Sequence, residues 1–428
     1  MGDSSPKVEK IYDFLSNIDD EETKERYSKM ILTLLEKGYF PGLAGIPVVK
    51  STVSNIDGEN GVLRYRGYRI QELAEKCSYE DVCFLLLNGD LPLPEERTNM
   101  RKRFLKNKEV DENIGSSVVS INEDLHPMNM LSAGVLMLQS EDSNPLEVTD
   151  YKQNLRKSER LIAKFPTLLG IFRNKDINFA QGKTFDRFAE YCLYCFNPEI
   201  SDQDQWIDIF DKMLVLHADH TMNNSTFSAR AVGSSQASIY SSISSAINSL
   251  SGPLHGGANE RVIHMLEEIG SPKNVEEYVD EKLEKSEKIM GVGHRVYQTY
   301  DPRAIFIKEN ILPLIFEEKD ETFSTNVDSH LRKLYEIAKK LEDVVIDRLA
   351  SKNVYPNVDF WSGLVLRAMG IEPKYFTTIF ALGRVMGWCS HWVENMKVNN
   401  KIFRPTQLYD GFEERKVLIS PKSISEED

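Results

Sequence analysis

The chain has 428 residues, of which 41% are hydrophobic and 28% are charged, a composition typical of a soluble protein with room for a large core. Its formal net charge of −14 argues against a nucleic-acid or anionic-membrane partner, because the electrostatic part of such binding would be repulsive. An anionic ligand would therefore need a local cluster of cations.

The amino-terminal sequence and the apolar stretches bear on location. The first residues lack the apolar run of a secretory signal, and the acidic residues at 19–22 are unlike an Arg-rich transit peptide. The longest apolar stretch, near 376–393, is interrupted by Arg384, so we predict no membrane span. We expect a cytoplasmic protein.

Helical periodicity dominates the chain. Residues 6–38 are predicted to form two amphipathic helices, with a break around SNIDDEE. At 45–68 two β-branched runs flank the turn-rich IDGENG, which predicts a small β-hairpin. Segment 234–252 is serine-rich, but its apolar residues recur at helical spacing until Gly252-Pro253, so we predict a helix there. Other clear helical segments are 79–88, 154–172, 205–217, 257–268, 329–350 and 376–396.

This pattern predicts a mainly α-helical protein in two lobes, since no linker composition separates independent domains. Five cysteines with no disulfide spacing fit a reducing compartment. Cys192 and Cys195 form a CxxC, but they lie in an apolar, aromatic stretch, so buried packing is favoured over redox or metal chemistry.

Three short segments each place a proton-transfer residue in a loop next to glycine or proline. His255 lies in SGPLHGGAN, His294 in GVGHRVY and Asp359 in YPNVDFWSG. Two imidazoles and one carboxylate on short turns suit acid–base chemistry at carbon.

Each of these residues also has a simpler interpretation. His255 precedes a helix that begins near Gly257, where the dipole would favour a neutral imidazole that donates a hydrogen bond, but it could also be a capping or surface histidine. Aromatic neighbours would desolvate Asp359 and raise its pKa, although an N-cap role fits the same spacing. The GxGH around His294 is not a phosphate-binding GxGxxG, because Val296 occupies the third-glycine position.

His217 and His220 could form a metal pair on one helix face, but no matching third ligand appears, so we predict no metal. A polar substrate contact by one of the two is favoured. The remaining histidines, which have no comparable context, are expected to be structural: His126, His264, His330 and His391.

Arg384 is the most informative cation. It lies in IFALGRVMGWC, a helix that is apolar on nearly every side, and no acid lies within one helical turn of it. A buried guanidinium needs an anion, which would be a structural acid elsewhere in the fold or a carboxylate ligand. Arg404 in KIFRPTQLY is a second candidate, and Arg303 follows a predicted helix start at Asp301-Pro302.

Several of these segments, taken together, resemble the citrate synthase family. The matching motifs stand in that family's order and spacing from about Gly42 to Gly411: IDGENGVLRYRGY, HPM, LHADH, SGPLHGGANE, GHRVYQTYDPRA, YPNVDFWSG, GRVMGW and FRPTQLYDG. The resemblance implies an all-helical two-domain fold with a small N-terminal β-hairpin. The large domain would hold 1–255 and 367–428, and a small domain, 256–366, would close over the substrates.

The resemblance also implies an activity. A homodimer with shared active sites would condense acetyl-CoA with oxaloacetate to citrate and CoA, with acetyl-CoA as a substrate and no cofactor. Asp359 would take the proton from the acetyl methyl group, His255 would hydrogen-bond the thioester oxygen, and His294 would polarise the ketone. His220, Arg303 and Arg384 would bind oxaloacetate, together with Arg404 from the partner subunit.

Some positions depart from the family pattern, namely Thr221, Gln298 and Trp361, and Gln298 puts one contact to a CoA phosphate in doubt. The nearest alternative activity is 2-methylcitrate synthase, because a pocket discriminates one methylene by only about 1–3 kcal/mol. A related citrate-cleaving lyase and a metal-dependent hydrolase are less favoured. A non-catalytic protein that binds dicarboxylate or CoA is an alternative of another class.

Overall fold

The computed structural model describes residues 15–18, 20–37, 41–43, 45–317, 323, 327–397 and 401–416. Contacts divide the chain into two compact units, of which Ser51–Phe403 is one. The other contains helix α1 (Glu21–Lys37) and the exposed, irregular segment 404–416. Helix α1 confirms the second helix predicted within 6–38, whereas the first falls mainly on 6–14, outside the described residues.

The Ser51–Phe403 unit opens with three short antiparallel strands, β1 (Ser54–Asp57), β2 (Val62–Tyr65) and β3 (Tyr68–Arg69). Ser54 pairs with Tyr65 and Asp57 with Val62, which confirms the predicted hairpin, and β3 extends it.

Helices make up most of the rest of this unit, as predicted. Among the described residues they are, in chain order, α2 (Ile70–Lys76), α3 (Tyr79–Asn88), α4 (Pro94–Lys106), α5 (Glu112–Ser120), α6 (Pro127–Met137), α7 (Tyr151–Asn174), α8 (Phe188–Phe196), α9 (Asp204–His217), α10 (Asn224–Gly233), α11 (Ile239–Leu250), α12 (Ala258–Ile269), α13 (Val275–Glu284), α14 (Pro302–Asn310), α15 (Leu312–Phe316), α16 (Ser329–Leu349), α17 (Val358–Ala368) and α18 (Phe376–Lys397).

The helix ends follow local sequence signals. Ser238 caps α11 by accepting a hydrogen bond from the Ser241 amide at 3.3 Å, and α11 ends just before Gly252-Pro253, as predicted. Helix α14 begins at Pro302 after Asp301, also as predicted. On α8 the thiols of Cys192 and Cys195 are fully buried, and burial raises the pKa of both, which confirms packing rather than reactivity.

Helix α18 lies at the centre of the core. It is buried over nearly its whole length and packs against α3, α7, α9, α10 and α11. Gly387 allows the loop after α9 to approach closely, since a Cβ there would lie 2.4 Å from the Ala218 carbonyl oxygen. This contact places the 218–223 loop beside Arg384.

None of the described helices combines the length and the apolar character needed to cross a membrane. The division into 1–255, 256–366 and 367–428 implied by the resemblance stays a prediction.

Candidate active site

His255 occupies the turn between α11 and α12. Its Nε2 accepts a hydrogen bond from the Ser225 amide at 3.2 Å, at the start of α10, and lies 2.9 Å from the Ser225 hydroxyl. Because Nε2 accepts from an amide, the ring proton resides on Nδ1. Burial, together with the nearby Arg384 charge, lowers the pKa of His255 to about 4. His255 is thus a neutral imidazole at a helix start, although this helix is α10 and not the expected α12; its role as a donor stays a prediction.

His294 is held by its own loop. Its Nδ1 accepts hydrogen bonds from the amides of Val296 at 3.0 Å and Tyr297 at 3.1 Å, so its proton resides on Nε2. Burial lowers the pKa of His294 to about 4. Its ring packs edge-on against His220, with 5.1 Å between the ring centroids. The ring proton of His294 is therefore also fixed on one nitrogen by backbone amides.

Asp359 lies in the first turn of α17. Asn357 is the N-cap of this helix and accepts a hydrogen bond from the Asp359 amide at 2.9 Å, so the alternative interpretation of Asp359 as the cap is wrong. Burial raises the pKa of Asp359 to about 6, against the opposing effect of Arg303. The side-chain amide of Asn357 also donates to the Gly293 carbonyl at 2.9 Å, which ties the Asp359 and His294 loops together.

The two arginines differ in their partners. Arg303 is buried and forms a bidentate pair with Asp301, with N–O distances of 3.0 and 2.7 Å. Arg384 is only 1% exposed; its Nε donates to the His217 carbonyl at 2.7 Å, and its Nη2 has no hydrogen-bond partner. Within the described ranges no carboxylate forms an ion pair with Arg384, so the structural acid that could have explained its burial is not found there.

Electrostatic effects place these residues in one site. Burial lowers the pKa of Arg384 to about 10, against the opposing effect of the Asp219 carboxylate. The Arg384 charge in turn lowers the pKa values of His220, His255 and Asp359. Burial is the first cause of the low pKa of His220, whose Nε2 lies 3.3 Å from the Tyr297 hydroxyl. The site thus combines one carboxyl group with a raised pKa, two neutral imidazoles and one guanidinium that has no carboxylate partner among the described residues.

His217 and His220, which the sequence analysis considered as a metal-binding pair, contact different parts of the structure. His217 Nδ1 lies 2.7 Å from the Met213 carbonyl oxygen and its ring packs against Phe380, whereas His220 contacts Tyr297. In the part of the chain that the structure describes, no three His, Cys, Asp or Glu side chains are grouped to hold a metal ion.

Arg404 is exposed and belongs to the other compact unit, so its predicted role stays a prediction.

Two of the residues that depart from the family pattern make defined contacts. The Trp361 indole donates to the Tyr300 hydroxyl at 3.0 Å, and the Gln298 backbone amide donates to the Gly58 carbonyl at 3.0 Å. Sequence reasoning did not identify Ser225, Asp219 or Tyr297, because their contacts join segments far apart in the chain.

The comparison with protein families decides the assignment. The sequence model described as "Citrate synthase, C-terminal domain" matches residues 42–406, which include all seven predicted site residues. The chain belongs to the citrate synthase family.

Curated citrate synthases are similar over most of the chain. The protein from Synechocystis sp. is 40% identical over 373 residues, covering 86% of this chain and 90% of that protein. The citrate synthase of Acidithiobacillus ferridurans is 36% identical over 399 residues, covering 90% and 98%.

Solved citrate synthases have the same fold. The Thermoplasma acidophilum enzyme, solved as a ternary complex with carboxymethyl coenzyme A and oxaloacetate, has a TM-score of 0.80 at 29% identity, covering 88% of this chain and 97% of that chain. The Pyrobaculum aerophilum citrate synthase has a TM-score of 0.79 at 34% identity, covering 89% and 94%. The mainly α fold expected from the sequence is therefore that of citrate synthases.

Proposed function

We propose that this chain condenses acetyl-CoA with oxaloacetate and hydrolyses the resulting citryl-CoA to citrate and free CoA, the first step of the tricarboxylic acid cycle. One observation carries this proposal: backbone amides fix the ring proton of His255 on Nδ1 and that of His294 on Nε2, in a site that also holds a carboxylate whose pKa is raised to about 6. The comparisons favour citrate synthase over 2-methylcitrate synthase.

Enolisation of the acetyl group needs a base and an acid that act together, because a thioester α-proton is far less acidic than a carboxyl group. Asp359 takes the methyl proton while the Nδ1–H of His255 hydrogen-bonds the thioester oxygen, on which negative charge develops. The enol carbon then attacks the oxaloacetate ketone, and the Nε2–H of His294 polarises the ketone oxygen and protonates the new alkoxide. Water finally cleaves the thioester and releases CoA.

Oxaloacetate is held by cations in a site from which water is largely excluded. The unpaired Nη2 of Arg384 offers a donor to one carboxylate, and Arg303, His220 and Arg404 of the partner subunit complete the contacts. This local cluster is how a chain with a net charge of −14 binds a dianion. The protein acts in the cytoplasm as a homodimer, with acetyl-CoA as a substrate and no further cofactor.

The test is thiol release from acetyl-CoA and from propionyl-CoA, each with and without oxaloacetate, with citrate identified by mass spectrometry. Oxaloacetate-dependent release that is faster with acetyl-CoA supports the proposal. Faster release from propionyl-CoA would indicate 2-methylcitrate synthesis. If calorimetry shows that oxaloacetate binds but neither thioester is cleaved, the protein is a binding homologue.

A further inference from the structure

The turn that presents His220 has a strained backbone. The next residue, Thr221, has a φ of 51°, the left-handed region that a β-branched residue rarely adopts. The Thr221 amide donates to the Ser54 hydroxyl and to Asp219 Oδ2, each at 3.1 Å, and the Ser54 hydroxyl itself donates to Asp219 Oδ2. Strain of this kind persists where surrounding contacts maintain it, and here the contacts converge on one carboxylate.

The Asp219 carboxylate is fully buried and is held by a histidine that the sequence analysis leaves as structural. His391 Nε2 lies 3.3 Å from Oδ1 and 3.4 Å from Oδ2 of Asp219. On the other side of the ring, Nδ1 accepts from Arg230 Nε at 3.0 Å and from Nη2 at 2.7 Å. Because a guanidinium only donates, Nδ1 carries no proton and Nε2 must donate to Asp219.

This chain of contacts ends on the segment before strand β1. Arg230 on α10 pairs with Glu394 on α18, and Glu394 Oε1 accepts from the Thr52 amide at 2.8 Å and the Thr52 hydroxyl at 3.0 Å. Helix α10, helix α18 and the segment leading into the hairpin are thereby joined through groups that are mostly buried. A connected buried network of this kind fixes one arrangement of the turn.

Arg384 lies two turns before His391 on the same face of α18. Asp219 acts on its charge without forming a hydrogen bond to it, and Arg384 Nη2 stays unpartnered. The Asp219 carboxylate therefore balances the guanidinium without contacting it, while its Oδ2 accepts hydrogen bonds from Thr221, Ser54 and His391.

We infer that Asp219, held by His391, is a positioning residue for oxaloacetate. It fixes the left-handed turn at Thr221 that presents His220, and it offsets the buried charge of Arg384 without occupying Nη2. This inference rests on the proposed function, because it names oxaloacetate as the ligand.

The test compares Asp219→Asn and His391→Gln with Ser390→Ala, a matched control at a buried neighbour of His391 whose hydroxyl has no hydrogen-bond partner. In Asp219→Asn the new amide faces the Nε2–H of His391, and the pairing with Arg230 prevents that ring from changing tautomer. We expect KM for oxaloacetate to rise about 10–100-fold in both variants, as for loss of a charge-assisted hydrogen bond. KM for acetyl-CoA should change by less than about twofold, and the control should match wild type.

A second substitution separates positioning from general stability. Thr221→Gly removes the cost of the left-handed backbone, so adding it to His391→Gln should restore a large part of the oxaloacetate affinity. Three results would overturn the inference: an equal rise in KM for both substrates, a fall in kcat alone, or no recovery of oxaloacetate affinity when Thr221→Gly is added.

If the buried variants do not fold, Ser54→Ala tests the same link without removing a charge. It should weaken oxaloacetate binding about tenfold, because the hydrogen bond of the hydroxyl to the Asp219 carboxylate is charge-assisted, and unchanged binding would overturn the inference. Calorimetric titration of oxaloacetate is carried out on every variant and on wild type. Failure of the proposed function shows as absent thiol release by wild type, whereas failure of this inference shows as unchanged oxaloacetate affinity in the variants.

Discussion

The Ser225 amide donates to His255 Nε2 at 3.2 Å, and this contact determines which nitrogen of the imidazole carries the proton. The donor lies at the start of α10, where unpaired amides and the helix dipole disfavour an imidazolium. His294 reaches the same neutral state through two amides of its own loop. Backbone amides, rather than carboxylates, therefore determine which nitrogen carries the proton in both imidazoles.

The pH profile of kcat/KM should report Asp359. Its pKa is raised to about 6, whereas those of His255 and His294 are lowered to about 4. A base acts when deprotonated and these donors act when neutral, so activity should fall about tenfold per pH unit below pH 6, with the histidines adding to the loss only below pH 4. Steady-state rates from pH 4.5 to 9 test this expectation. A profile that stays flat down to pH 5 would contradict it.

Arg384→Met should separate stability from binding. The guanidinium is buried with one unpartnered nitrogen, so an apolar side chain of similar length should leave the melting temperature unchanged or raise it. Oxaloacetate affinity should fall at least about 100-fold, because charge-assisted hydrogen bonds are lost. Thermal unfolding and calorimetric titration measure the two effects. A large fall in melting temperature with affinity retained would mean that Arg384 is structural.

Gly58→Ala should lower kcat/KM for both substrates, because it displaces the loop that carries His294. A Cβ at Gly58 would lie 2.1 Å from the backbone carbonyl oxygen of Val296, so the hairpin turn and that loop cannot keep their contact. We expect kcat/KM to fall about tenfold or more, since small displacements of positioned groups reduce rates strongly. Gly115→Ala on α5 is the control, because its new Cβ meets only side chains at 3.4 Å or beyond. Equal activity of the two variants would contradict this prediction.

Asp359→Asn should also change the dependence of stability on pH. The folded pKa of about 6 lies above the ordinary value of 3.8, so the folded state binds more protons than the unfolded state between these values. Stability of wild type should therefore fall as pH rises from about 4 to 6. The asparagine variant lacks this loss and should melt at a higher temperature than wild type at pH 8. A lower melting temperature at pH 8 would contradict the sign of the shift.

Local signals in the sequence predicted the turns around the site residues and the burial of Arg384. Glycine and proline around His255, His294 and Asp359 marked turns, and the apolar surroundings of Arg384 indicated a buried cation that needs an anion. These features depend on neighbours in the chain, and the helices that flank them begin and end close to the predicted residues.

Contacts between distant segments could not be predicted in the same way. Ser54, Asp219 and His391 come together only through packing of α18 against the loop after α9, and nothing in the sequence near His391 indicates its partner. The capping of α17 was ambiguous for a different reason: asparagine and aspartate are both good caps, and the structure places Asn357 at that position.

The most direct test of this account is oxaloacetate-dependent thiol release from acetyl-CoA by wild type and by Asp359→Asn. The substitution keeps the shape of the side chain and removes the base, so we expect kcat to fall at least about 100-fold, with oxaloacetate affinity close to that of wild type. Thiol release at the wild-type rate in a folded Asp359→Asn variant would show that the base is another residue and would contradict the account.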